Sequence, residues 1–133
     1  MRPPLPDGGG SQRGTAAVEF ALVLPLVLVV ALALVQTGLL VRDRLLVEAA
    51  TRAGARAAAV QDDPSAIRTA VLAAAPTLED GSVEVAVARA GSRGEPVTVS
   101  LRYASPVRVP FVGWLFGGPV GMSASTTARQ EFG

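Results

Sequence analysis

One unbroken apolar run, from Ala16 to Val41, constrains this chain more than anything else in it. Within the run only Glu19, Gln36 and Thr37 are polar. About 26 residues at 1.5 Å rise make a helix of about 39 Å, longer than the roughly 30 Å hydrocarbon core of a bilayer. A membrane span follows, tilted or with one end standing in the interface. Pro25 lies inside it, which spanning helices tolerate although a backbone hydrogen bond is lost. Glu19 is the anomaly. A carboxylate at the centre of a span costs roughly 2.5–3.5 kcal/mol, and less near an end, so an acid one turn inside asks for a partner.

The 133 residues leave room for one small domain besides this helix. A formal charge of +1 offers no basic excess to neutralise phosphates, which argues against nucleic acid as a partner. All twelve cationic residues are arginine, and Arg42, Arg44, Arg52 and Arg56 follow the span with Asp43 and Glu48 interleaved. Acidic lipid headgroups would attract such a cluster; a solvated helix face is the plainer reading. Without Cys there is no disulfide framework and no thiolate metal site, and without His the commonest general base and metal ligand are missing. No catalytic, metal-binding or cofactor-binding constellation is expected. Asp62-Asp63 reads as a helix cap, Glu79-Asp80-Gly81 as a turn, and Ser123, Ser125, Thr126 and Thr127 as a strand surface with no His to activate them. Gly8-Gly9-Gly10 lacks the lysine and the strand-to-helix setting of a phosphate loop.

Four regions follow along the chain. Residues 1–14, with Pro3, Pro4, Pro6 and the triple glycine, form a polar leader that reads as flexible. Residues 15–41 are the transmembrane helix. Residues 42–60 extend that helix into water, with Leu45, Leu46, Ala49, Ala53 and Ala57 recurring at helical spacing and Glu48 and Arg52 placed for an ion pair. Residues 61–133 form a small α+β domain. There Asp63-Pro64 starts a second helix that Pro76 stops, with Ile67, Val71, Leu72 and Ala75 on one face. Val83, Val85 and Val87 alternate as a strand, and Val97, Val99, Leu101 and Tyr103 return as the second arm of a hairpin across Gly91–Gly94. A third strand is expected over Val120–Arg129, with Met122, Ala124 and Thr126 sharing a face. The loop between carries Phe111, Trp114 and Phe116. These aromatics either face a membrane or close the core, and core closure is expected because so small a domain needs its large side chains. The fold class is α+β: a long N-terminal helix, a short second helix and an antiparallel sheet of about three strands.

Three processing readings of the leader are open. A secretory signal peptide would be cut near Ala31-Leu32-Ala33, but Leu34 and Val35 continue the apolar run through that point. An uncleaved signal anchor would leave Glu19 complementing the helix dipole. A prepilin-type leader would be cut after Gly14. The stretch Arg13-Gly14-Thr15-Ala16-Ala17-Val18-Glu19-Phe20-Ala21-Leu22-Val23-Leu24-Pro25, together with Ala49-Ala50-Thr51-Arg52-Ala53-Gly54-Ala55-Arg56-Ala57, resembles the TadE-like family of pseudopilins of tight-adherence (Flp-type) pilus systems. The resemblance covers roughly residues 13–60.

That resemblance implies a processing site at Gly14 and Thr15, cut by a prepilin peptidase, and an assembly role for Thr15, Glu19 and Phe20. Glu19 would become mature position five, facing the new amine of a neighbour's Thr15. Relatives among the type IV pilins often carry a methylated Phe at the first mature position; Thr15 departs from this, and no methylation is inferred. The implied partners are the prepilin peptidase, other pilin or pseudopilin subunits, the pilus assembly machinery and membrane lipid. The implied location is the cytoplasmic (inner) membrane, single-pass, with the C-terminal domain outside. Counting positive charges alone gives the opposite orientation. The family orientation is adopted because leader cleavage requires a cytoplasmic N-terminus. The expected function is thus that of a minor pilin-like subunit acting by assembly. The alternative is an uncleaved single-pass anchor presenting a small extracytoplasmic binding domain.

Overall fold

A computed structural model describes residues 9–132; the leader's Pro3, Pro4, Pro6 and Gly8 lie outside the described residues. Helix α1 runs from Gly9 to Val60 without a break, carrying Pro25 inside it. The helix is therefore already formed five residues before Gly14, within the stretch 1–14 expected to be flexible, instead of starting at the apolar run. Once the run is helical, each added residue contributes a bond at little further cost, so the helix propagates past its apolar border.

Helix α2 spans Pro64–Ala74. Its start is built as the residues suggest. Asp63 is the N-cap, its Oδ1 accepting the backbone N–H of Ser65 at 2.9 Å and the Ser65 hydroxyl at 2.8 Å, and Pro64 takes the first helical position. Ile67 and Val71 bury the inner face of α2, with Ala75 just beyond it. A single 3-10 turn, Asp80–Ser82, leads into the sheet.

Strands β1 (Val83–Arg89), β2 (Pro96–Ser105) and β3 (Val120–Arg129) form one antiparallel sheet with β2 central. In this register Val85, Leu101 and Ala124 align across the sheet, as do Val83, Tyr103 and Met122. Those rows face the helices. Val97, Val99, Leu101 and Tyr103 are fully or almost fully buried, while the outer residues of β3, Ser123, Ser125 and Thr127, are exposed. Thr126 belongs to the inner face, half-buried, with Met122 and Ala124. A four-residue helix, α3 (Gly113–Phe116), interrupts the β2–β3 connection.

The C-terminal half of α1 packs on α2, β2 and β3, with Leu46 and Ala57 of the expected stripe at the edge of the core and a neighbouring stripe at its centre. Val47, Ala50, Gly54, Ala55 and Ala58 are buried, whereas Leu45 is 60% exposed. Close approach explains the choice. A Cβ on Gly54 would lie 2.6 Å from Val71 Cγ2 and 3.2 Å from Val99 Cγ1, so helix and sheet meet where side chains are smallest. The expected Glu48–Arg52 pair is also replaced. Glu48 accepts from Arg44 Nε at 3.0 Å, and Arg44 Nη1 donates to the Ser123 carbonyl at 2.7 Å, a second bond that draws it toward the sheet.

The C-terminus of α1 illustrates how tertiary structure completes a helix end. Arg89 Nη1 donates to the Ala58 carbonyl at 2.9 Å and Nη2 to that of Gln61 at 3.0 Å, and the Glu131 N–H reaches the Ala59 carbonyl at 2.7 Å. Carbonyls left without intrahelical partners thus receive donors from β1 and from the chain after β3. Arg89 is held there by Asp62 at 2.9 Å and by the Phe132 ring, 5.2 Å from its guanidinium carbon.

Candidate functional site

Two regions of α1 carry chemistry that packing alone does not require. The first holds Gly14, Thr15, Glu19 and Phe20, all exposed. Thr15 and Glu19 are one helical turn apart, on nearly the same face, about 6 Å along the axis. Phe20 is 67% exposed, beside Glu19 on the helix surface. Among the described residues no side chain from Gly14 to Val35 is buried. Helix α1 is what brings the four together. Those 22 uncovered residues rise about 33 Å, close to the roughly 30 Å of a hydrocarbon core. This N-terminal helix is long and apolar enough to cross a membrane.

The second region begins where the first ends. Gln36 is fully buried, and its Oε1 accepts the backbone N–H groups of Arg108 and Val109, each at 3.0 Å. Seven residues on, two turns along the same face, Asp43 is 1% exposed. Its Oδ2 accepts from the Ser105 hydroxyl at 2.6 Å and from Arg108 Nη1 at 2.7 Å, and Arg108 Nη2 donates to the Tyr103 hydroxyl at 3.2 Å. The hydrogen bond that Arg108 donates to Asp43 is the main cause that holds its guanidinium above an already high ordinary range. Gln36 Nε2 and Asp43 Oδ1 are buried without a hydrogen-bond partner among the described residues. A buried carboxylate and a buried amide thus join the helix to the loop that follows β2.

Sequence reasoning missed this junction. A signal was present: Gln36 and Asp43 fall in register with Val47, Ala50, Gly54 and Ala58, a stripe of three- and four-residue steps whose polar members lower its apparent hydropathy. The aromatic loop is a second correction. Phe111 is 81% and Trp114 74% exposed, and Phe116 is half-buried; none of the three closes the core. Val112, fully buried, takes that place. Tethering the loop to Gln36 leaves its small residue inward and its rings outward.

Residues 14–56 match the protein-family model described as TadE-like protein. This segment is similar to TadE-like proteins. It spans all the uncovered helix and most of the helix beneath the sheet, and contains Gly14, Thr15, Glu19, Phe20, Gln36 and Asp43. The residues joined to Gln36 and Asp43, namely Ser105, Arg108 and Val109, lie outside the TadE-like segment, on the domain built over it. No curated protein and no solved structure matches the chain.

Proposed function

We propose that this protein is a minor pilin-like subunit of a tight-adherence pilus system, inserted by α1, processed by a prepilin peptidase between Gly14 and Thr15, and active by assembly with other pilin-type subunits. The observation that carries this reading is the TadE-like match over residues 14–56, which begins at the residue before the proposed cut and includes the exposed Glu19. Cleavage would remove Arg2, Asp7 and Arg13, leave the side chains of the mature subunit formally neutral, and free the amine of Thr15. In lipid Glu19 is costly. In a bundle of subunits, a neighbour's Thr15 amine offers it an opposite charge at low dielectric, and the attraction is steep there. Repeated head to tail, such a contact builds an open filament. The domain of residues 61–133 would then stand outside the inner membrane, carried on the soluble part of α1.

A second reading, an uncleaved single-pass anchor, is favoured by one observation. Helix α1 runs through the Gly14–Thr15 bond, and a peptide bond must leave the helix to enter a peptidase cleft. The cost is modest: Gly9, Gly10 and Gly14 each weaken the helix by about 0.5–1 kcal/mol relative to alanine, and helix ends fray. Intact-mass measurement of the membrane-extracted protein, from cells with and without a prepilin peptidase, separates the readings. Loss of residues 1–14 only when the peptidase is present is expected; an unprocessed mass in both refutes the proposal. Glu19→Ala is expected to be cleaved normally yet to be depleted from assembled pili, and its normal incorporation would remove Glu19 from the mechanism.

A further inference from the structure

We propose that the loop carrying Phe111, Trp114 and Leu115 is a second membrane contact, seated in the lipid interface beside the point where α1 leaves the bilayer. The inference rests on the reading of α1 as a span. Its geometry comes from Gln36. The uncovered helix ends at Val35, and the next residue binds the backbone of Arg108 and Val109, so the loop is tied to α1 at the level where a bilayer surface would lie. From this tether the loop presents Phe111, Trp114 and Leu115 outward while Val112 alone is fully buried. Exposed rings in a cluster have little reason to stand in water, whereas aromatic side chains concentrate at the headgroup level of membranes.

Two local features suit that surroundings. The Trp114 indole N–H already donates to the Phe111 carbonyl at 3.0 Å, so the ring takes no unmet donor into lipid. Phe111 itself holds φ at 65°, a left-handed conformation that a bulky residue adopts only under constraint. Glycine would sit in that turn without strain. That phenylalanine occupies it is consistent with a use for the ring outside the fold.

Trp114 is the chain's single tryptophan and therefore a native reporter. The full-length protein would be reconstituted in vesicles containing lipids brominated either near the glycerol end or near the tail end of the acyl chain. Trp114 emission is expected to be quenched most strongly by the shallow bromines and to be shielded from aqueous acrylamide. In parallel, Trp114→Phe/Leu28→Trp places the reporter in the middle of the uncovered helix, where the deep bromines should quench it most. Quenching of Leu28→Trp but not of Trp114 overturns the loop contact and leaves the span intact. No quenching of either overturns the span and the loop proposal with it. Trp114 shielded from acrylamide yet blind to bromine points to a neighbouring subunit as the occupant, which also refutes the lipid contact.

Discussion

Removing Arg108 tests whether the sheet and the loop after β2 are held on α1 by a buried charge. In Arg108→Ala, Asp43 stays at the interface, 1% exposed, with only the Ser105 hydroxyl at 2.6 Å left to it. Breaking a buried ion pair from one side costs about 3–5 kcal/mol, because the remaining charge is uncompensated. The Arg108 side chain is 31% exposed, so water enters easily where it stood and softens the penalty. An expected loss of about 2–3 kcal/mol follows. Asp43→Ala should cost less, about 1–2 kcal/mol, since the arginine left behind reaches solvent and keeps the Tyr103 hydroxyl. The double variant should resemble Asp43→Ala alone, because with the acid gone there is no charge to strand. Urea titration of the full chain in detergent micelles, followed by circular dichroism, measures all three. Equal losses in the two single variants, or additive losses in the double, would refute the idea that an uncompensated carboxylate governs this junction.

Other consequences follow from the packing and the turns. Gly54→Ala gains about 1 kcal/mol of helix propensity but drives a Cβ to 2.6 Å from Val71, where overpacking costs about 1–3 kcal/mol, so a net loss of about 1 kcal/mol is expected. Combined with Val71→Ala it should cost less than the sum of the two, read from urea midpoints. Asp63→Ala should lower the melting temperature at neutral pH, while Asp63→Asn, which keeps the accepting oxygen, should preserve most of it. The Ser65 hydrogen bonds hold the Asp63 carboxyl below its ordinary value of 3.8. Its stabilisation is therefore complete above the unfolded value and lost as pH falls through the folded one, so the difference between wild type and Asp63→Ala should fade in acid. Phe111→Gly should stabilise the domain by about 1 kcal/mol in detergent by relieving the positive φ, and a loss of stability instead would show that the ring supports the fold.

Much of the local structure was legible before any packing was known. Asp63-Pro64 specifies a helix start through one acceptor and one fixed φ, both within two residues of the cap. Strand β3 occupies Val120–Arg129 because alternation there is strict and Gly117-Gly118-Pro119 precedes it. Gly14, Thr15, Glu19 and Phe20 were singled out through the resemblance to TadE-like proteins, and the fold adds to that only the helix that sets Thr15 and Glu19 one turn apart. The face of α1 could not be read the same way. Leu45 outweighs Ala50, Gly54 and Ala58 in hydropathy yet stays exposed, because the smaller residues permit the closer approach and so the better packing.

By itself, then, the sequence determined the start of α2, the three strands, the extent of the apolar run and the place of its one early acid, because these depend on contacts within a few residues. Only the tertiary structure decided what Gln36, Asp43 and Glu48 bind, and where the aromatic rings lie. Gln36 meets partners 72 and 73 residues away, and Asp43 partners 62 and 65 residues away. Arg44 turns to Glu48 when β3 supplies it a second acceptor, and Phe111 and Trp114 stay outside because Val112 fills the core position. A polar side chain's partner is set by which distant segment arrives beside it, and neither periodicity nor propensity carries that information.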